Sequence, residues 1–164
     1  MSDFEQESGA RRKKLTPPDA LAKIQHYCAY QERSHQEVRN KLYAYGLFSS
    51  DVDEILSRLI TDGFLNEERF AKAFAGGKFR VKKWGRLKII RELEARDLTK
   101  NCIKVGLKEI DEVEYRQSLQ EILAKKSSQI QEGSQFLKRD KLAKYGISKG
   151  YEPDLVWSII REFY

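Results

Sequence analysis

Apolar residues recur along this chain at intervals of three and four positions, the spacing that places side chains on one face of an α-helix. No segment shows the alternation of apolar and polar residues that is typical of a half-buried β-strand. The densest apolar stripe consists of Val52, Ile55, Leu56, Leu59 and Ile60. The pattern therefore predicts an all-α protein.

Short polar residues predict where the first helices begin. Thr16 stands before two prolines and Asp19, an order that is typical of a helix N-terminus. Ser34 and Glu37 have the spacing of a capping box, in which each side chain accepts a hydrogen bond from the backbone amide of the other residue. Both sites predict helices that start at the following residue.

The third and fourth helices carry weaker signals. Ser50 with Asp53 predicts the start of the third helix, and Asn66 is expected to cap the fourth. The pair Gly76-Gly77 interrupts the fourth helix, and two glycines cost about 2 kcal/mol of helix propensity relative to alanine. We expect the fourth helix to loosen or end at this pair.

A turn residue followed by an apolar residue occurs three times, as Gly46-Leu47, Asp97-Leu98 and Gly150-Tyr151. Apolar residues follow each pair at similar offsets, which indicates an internal repeat. We therefore expect an elongated array of three tandem three-helix repeats, about nine helices in all, in which each repeat has a small core and neighbours stack. The predicted segments are a disordered basic tail at 1–15 and three-helix repeats at 16–63, 64–110 and 111–164.

The composition excludes several classes of protein. The 164 residues carry a net charge of +6 and are 40% hydrophobic and 34% charged, which indicates more solvated helix surface than a compact sandwich or doubly wound fold has. No apolar run is long enough for a membrane span or a secretory signal. We expect a cytoplasmic monomer without a membrane contact.

The clearest surface signal is the basic block, residues 78–91 (KFRVKKWGRLKIIR), which contains no acidic residue. Cations interleaved with Phe79 and Trp84 suit phosphate contacts with adjacent stacking. In the alternative interpretation, both aromatic residues are core anchors and the cations only solvate a helix junction. For the two aromatic residues we favour this core interpretation. The candidate binding residues are Lys78, Arg80, Lys82, Lys83, Arg86, Lys88 and Arg91. A second basic element, residues 11–14, is interpreted as an arm that raises the encounter rate.

Catalysis finds little support in the sequence. Cys28 and Cys102 form no CxxC motif, and their positions on apolar helix faces predict buried free thiols, as in a reducing cytoplasm. His26 and His35 lack a metal-ligand spacing. The acidic pair Glu67-Glu68 lies at a helix start, where the helix dipole favours negative charge. We expect a protein that is not an enzyme and has neither a metal nor a cofactor.

Several runs of residues, taken in their order and spacing, resemble the RecX family of bacterial regulators of the RecA recombinase. The strongest is Gly63 to Ala71 (GFLNEERFA), which follows Ser34 to Leu42 (SHQEVRNKL) and Gly46-Leu47. The later blocks are Lys83-Trp84-Gly85 and Arg91-Glu92-Leu93. Each motif is short, but together they cover the chain from about Ala20 to its last residue.

The resemblance implies an all-helical array of three-helix repeats that lies in the groove of the RecA–DNA filament. Such a protein limits filament growth and lowers ATPase and strand-exchange activity, and so acts in homologous recombination and DNA repair. The family offers no catalytic residues, so the basic block alone is carried over as a contact surface. The implied partners are the RecA filament and, more weakly, single-stranded and double-stranded DNA.

Three positions depart from the family pattern. Asn66 stands where aspartate is frequent, and Gly76-Gly77 interrupts a segment that is usually more basic and helical. Gly146 stands where an apolar side chain is common, so the sequence does not define the packing of the third repeat around it.

Two other functions stay open at this point. Tandem three-helix units resemble helix-turn-helix architecture, so the chain is alternatively a stand-alone DNA-binding protein, with steep salt dependence and sequence preference on naked duplex. A purely structural scaffold without a nucleic-acid contact would be indifferent to the loss of the basic block.

Overall fold

Helices provide the regular structure of residues 14–131 and 133–164, which are the residues that the computed structural model describes. Within these ranges the chain forms nine helices and no strand, which confirms the predicted fold class. The helices are α1 (Pro17–Tyr30), α2 (His35–Ala44), α3 (Ser49–Thr61), α4 (Glu67–Lys82), α5 (Arg86–Glu94), α6 (Lys100–Leu107), α7 (Glu112–Gln129), α8 (Gln135–Ser148) and α9 (Pro153–Phe163).

The contacts divide the chain into two compact units, Met1–Phe70 and Ala71–Tyr164. The first unit contains α1 to α3 and the first turn of α4, and the second contains the rest of α4 and α5 to α9. The predicted repeat boundaries at residues 63 and 110 stay predictions. Of the predicted tail, residues 1–13 lie outside the described part, whereas Leu15 is held, since its amide donates to the Tyr45 carbonyl at 2.9 Å.

The predicted caps of α1, α2 and α4 are confirmed. The Thr16 side chain accepts from the Asp19 amide, and the reciprocal hydrogen bonds of Ser34 and Glu37 are each 3.1 Å long. Asn66 Oδ1 accepts from the Arg69 amide at 2.9 Å, which caps α4. These side chains satisfy backbone donors that a helix start leaves unpaired.

The predicted start of α3 is wrong. The helix begins at Ser49 after Phe48, without a side-chain cap. The Asp53 carboxylate instead accepts from Arg39 of α2 at 2.7 Å. The start follows from packing, because the buried Leu47 and Val52 fix where the chain turns into the helix.

The repeated turn is the clearest agreement between sequence and structure. Gly46, Asp97 and Gly150 have positive φ angles of 88°, 59° and 100°. Each is followed by a buried residue, and the next helix begins three positions after the turn residue in all three copies, at Ser49, Lys100 and Pro153. Asp97 can replace glycine because a short polar side chain tolerates the left-handed region. The frame predicted from the three residue pairs is therefore confirmed.

Each unit has its own apolar core. The first unit is centred on the fully buried Ile24, Val38, Leu42, Val52 and Leu59 from α1, α2 and α3. In the second unit, α7 and α9 contribute buried side chains on either side of α8. The fully buried residues of this region include Leu119, Leu123, Leu142, Val156 and Ile159.

The expectation about Gly76-Gly77 is wrong, whereas the packing around Gly146, which the sequence left open, is close. Helix α4 continues through Gly76-Gly77 to Lys82, because the burial of Phe79, one turn further on, stabilises the helix by an amount comparable to the cost of two glycines. Gly146 does not weaken the packing of its helix, since a Cβ there would meet Val156 at 3.0 Å. The glycine lets α8 approach α9 closely.

Candidate nucleic-acid interface

The basic block covers the end of α4, a short connection and most of α5. Helix α4 ends where Lys83 takes a positive φ of 59°, a conformation usually left to glycine. Gly85 then caps α5 without a side chain. The block is therefore a helix–turn–helix junction whose cations leave the backbone in several directions.

The backbone of the junction is fixed by the turn between α8 and α9. The Gly85 amide donates to the Lys149 carbonyl at 2.8 Å, and the Leu87 amide donates to the Gly150 carbonyl at 2.9 Å. A Cβ on Gly85 would lie within 3.0 Å of the Gly150 and Tyr151 backbones. Glycine at position 85 is thus required by this close approach, which fixes the start of α5.

Arg86 is directed into the protein. Its guanidinium pairs with Glu112 and with Glu152, the latter at 3.1 Å, and lies 3.9 Å from the centre of the Tyr115 ring. Burial acts to lower the pKa of Arg86, but the hydrogen bond with Glu112 and the Glu152 charge outweigh burial and raise it. Because two carboxylates neutralise its charge, Arg86 holds α5 to α7 and α9.

Two stacked tyrosines complete this anchor. The Tyr115 and Tyr151 ring centres are 4.8 Å apart. The Tyr115 hydroxyl donates to Glu152 at 2.5 Å and accepts from the Arg86 amide at 2.9 Å. Burial, followed by the hydrogen bond with Glu152, raises the Tyr115 pKa, so the hydroxyl stays protonated as a donor. Tyr151 donates to the Lys83 carbonyl at 3.2 Å, which holds the left-handed end of α4 in place.

The two aromatic residues of the block have different environments. Phe79 is buried and packs against Tyr115, with 5.8 Å between the ring centres, so the core interpretation is right for it. Trp84 is half-buried and meets Phe74 edge to face. The amino groups of Lys78 and Lys88 lie 5.0 and 4.6 Å from the Trp84 ring centre, in cation–π geometry.

The seven predicted binding residues fall into three groups. Arg80, Lys82, Lys83 and Arg91 are exposed, and Lys78 and Lys88 are half-buried beside Trp84. Arg86 belongs to the anchor described above. The structure thus presents four exposed cations from the block on a junction whose backbone is fixed by hydrogen bonds. This arrangement can offer phosphates or carboxylates a preformed set of contacts.

Other basic residues of this surface were missed by sequence reasoning. Lys125, Lys126 and Lys149 line one cavity together with Lys83. They lie far from the block in the sequence and among other charges. The basic block is recognisable in the sequence because its positive charges form one local run. Cations that only folding brings together leave no such run in the sequence.

The candidate chemical residues have ordinary environments. Burial raises the pKa of the Cys28 thiol to about 11, so Cys28 stays protonated and unreactive near neutral pH. Cys102 is half-buried and not fully buried as predicted, because α6 places it at the edge of its apolar face. His35 Nδ1 lies 2.9 Å from Glu67 Oε1. The described residues contain no group of three or more potential metal ligands.

A search of the helices in the described ranges finds none that is both long and apolar enough to cross a membrane.

These features define an all-helical protein. The family model described as "RecX, second three-helix domain" matches residues 66–107. Over 143 residues the chain is 28% identical to the "Regulatory protein RecX" of Prosthecochloris aestuarii, covering 87% of this chain and 92% of the relative. It is 27% identical over 131 residues to the protein of that name from Halalkalibacterium halodurans, covering 80% of this chain and 49% of the relative. The chain is thus similar to RecX proteins over most of its length.

The solved structures agree on the fold. The crystal structure of RecX from Lactobacillus salivarius superposes with a TM-score of 0.80 at 20% identity, covering 89% of this chain and 95% of that one. A second crystal structure, of regulatory protein RecX, has the same TM-score at 15% identity and covers 99% of this chain and 80% of that one. The chain thus spans nearly all of some relatives and about half of others.

Proposed function

We propose that this protein is a non-catalytic regulator that binds the RecA–DNA filament in the cytoplasm and lowers its ATPase activity, its growth and its strand exchange. One observation carries the proposal. The chain matches proteins named "Regulatory protein RecX" over most of its length. The RecA partner and the inhibitory direction are what similarity to this family implies.

The geometry of the basic block supports a role in binding. Its exposed cations stand on a junction that backbone hydrogen bonds hold to the α8–α9 turn. A filament repeats the same acidic or phosphate groups along its length, so several modest contacts add through effective concentration. Affinity should therefore depend on the assembled filament and not on a single recombinase subunit.

The experiment that tests this function is a titration of the protein into RecA on single-stranded DNA, with the DNA-dependent ATPase as the readout. We expect ATPase activity to be lost well below one regulator per recombinase subunit, because a molecule that blocks filament growth affects many subunits. An ATPase that is unaffected even at saturating protein would refute the proposal.

The same titration distinguishes a filament regulator from the alternative, a stand-alone DNA-binding protein. The lysine-lined cavity between α7 and α8 is the observation that favours this alternative. If the protein acts only by competing for DNA, ATPase loss begins when it saturates the strand, and longer DNA at a fixed recombinase concentration relieves it. A filament-directed regulator keeps its substoichiometric effect on longer DNA.

A further inference from the structure

Two neighbouring cavities lie between α7 and α8 in the second unit. The first has a volume of about 470 Å³, and the second has a volume of about 540 Å³. Lys126, Gln129 and Tyr145 line both cavities, which are together called the lysine groove. The lysines of the first cavity are Lys83, Lys125, Lys126 and Lys149.

The fold builds this lysine groove from three separate parts of the chain. Lys83 is the left-handed stop of α4, and its carbonyl accepts from Tyr151 at 3.2 Å. Lys149 is the C-terminal cap of α8, and its carbonyl accepts from Gly85 at 2.8 Å. The backbones of both lysines are therefore held by direct hydrogen bonds, while Lys125 and Lys126 project from the C-terminal part of α7.

A structural role explains only part of this arrangement. A lysine in the last turn of α7 stabilises the helix dipole, which accounts for Lys126. The same effect favours Lys83 and Lys149, which follow α4 and cap α8, but it does not require that lysines from three different helix ends line one cavity. Among the described residues that line the first cavity, Glu121 alone is acidic. A concave site lined by one sign of charge concentrates the field and attracts the opposite sign.

The shape favours a polymer strand over a small ion or a duplex. The second cavity adds Lys141 and Lys144, the latter paired with Asp140 at 3.0 Å, so lysines border both cavities and can contact successive phosphates of one chain. Tyr145 borders both cavities, with Lys126 Nζ 4.9 Å from its ring centre. Aromatic side chains beside cations are typical of single-stranded nucleic-acid sites. Cavities of this volume have the size of small-ligand pockets and are too small to enclose a duplex.

We propose that the lysine groove binds the phosphate backbone of single-stranded nucleic acid, with Lys83, Lys125, Lys126 and Lys149 on the phosphates and Tyr145 beside a base. This proposal rests on the proposed function, because the recombinase filament is what would present such a strand to the groove. It places a strand contact on α7 and α8, beyond the basic block.

The test measures binding of a fluorescent oligothymidylate of about 12 nucleotides by anisotropy at several salt concentrations. The full chain is compared with the triple variant Lys125→Gln, Lys126→Gln and Lys149→Gln. The matched control, Lys100→Gln, Lys104→Gln and Lys108→Gln, removes three exposed lysines, two in α6 and one at its C-terminal cap, that line a different cavity. Both variants therefore lose the same charge.

Each phosphate contact to a single strand contributes about fivefold in affinity at 0.1 M salt, so the groove variant should bind about 100-fold more weakly. Its salt slope should fall by about 2. The control should stay within about threefold of the unchanged protein, because only its net charge has altered. If the triple variant is unfolded by circular dichroism, Lys125→Gln alone should give the fivefold loss, since this side chain is exposed.

Three results would overturn the groove assignment. These are an unchanged affinity of the groove variant, an equal loss in both variants, and a larger loss for duplex than for single strand. The assay contains no recombinase, so it separates the two proposals. If the groove variant loses strand binding while the unchanged protein has no effect on the ATPase, the proposed function is refuted and the groove assignment is supported.

Discussion

At the scale of single residues, two glycines that look alike in the sequence have opposite structural roles. Gly77 lies inside α4 with open space where a Cβ would be. Gly85 lies against the Gly150 backbone, where a Cβ has no room. Both glycines have the same low helix propensity, but the role of each depends on what folding places beside it.

The first prediction compares these two glycines by chemical denaturation. Gly77→Ala should raise the free energy of unfolding by about 1 kcal/mol, the helix propensity gained without a clash. Gly85→Ala should lower it by about 3 kcal/mol, because the neighbour is backbone and cannot move aside as a side chain can. Equal effects of the two substitutions would contradict the close approach of Gly85 to the α8–α9 turn.

At the scale of elements, sequence reasoning succeeds where local chemistry decides. The caps at Thr16, Ser34 and Asn66 and the turn at Asp97 follow from hydrogen bonds and backbone angles within a few residues. Sequence reasoning fails where distant contacts decide the structure. Helix α4 continues past Gly76-Gly77 because Phe79 packs on Tyr115. The internal repeat was visible because all three copies share one local turn.

The basic block shows the same limit within the candidate site. The seven basic residues within positions 78–91 suggested one binding surface, but the structure separates Arg86 from the rest and pairs it with Glu112 and Glu152. Those carboxylates lie on α7 and at the start of α9, so no local pattern could assign them to Arg86. The lysines of α7 and α8 were missed for the same reason.

The second prediction tests whether Arg86 has a structural role. Its side chain is 20% exposed, and Arg86→Gln leaves two carboxylates and the Tyr115 ring without their cation. We expect a loss of about 2 kcal/mol in the free energy of unfolding, below that of a fully buried pair because Glu112 is solvated. Lys82→Gln, an exposed change of the same charge at the end of α4, should stay within about 0.5 kcal/mol. A stable Arg86 variant would contradict the anchor.

At the scale of the whole molecule, the second unit carries two sets of cations with different surroundings. The exposed cations of the basic block stand on a helix junction, whereas the lysine groove is concave and bordered by Tyr145. A surface on a junction suits contacts with acidic protein side chains or with phosphates, and a groove suits one strand. The two surfaces share Lys83, so substitutions that separate them must leave that residue unchanged.

The third prediction removes the exposed part of the basic block in the variant Arg80→Ala, Lys82→Ala and Arg91→Ala. Binding to preformed recombinase filaments, measured by cosedimentation at about 0.1 M salt, should weaken at least about tenfold, since each side chain contributes a separate ionic contact. Stability should change little, because all three side chains are exposed. The α6 variant with Lys100, Lys104 and Lys108 replaced by glutamine controls for net charge. Unchanged filament binding by the block variant at this salt would show that the block is a solvated surface, and the contact with the filament would then have to lie elsewhere.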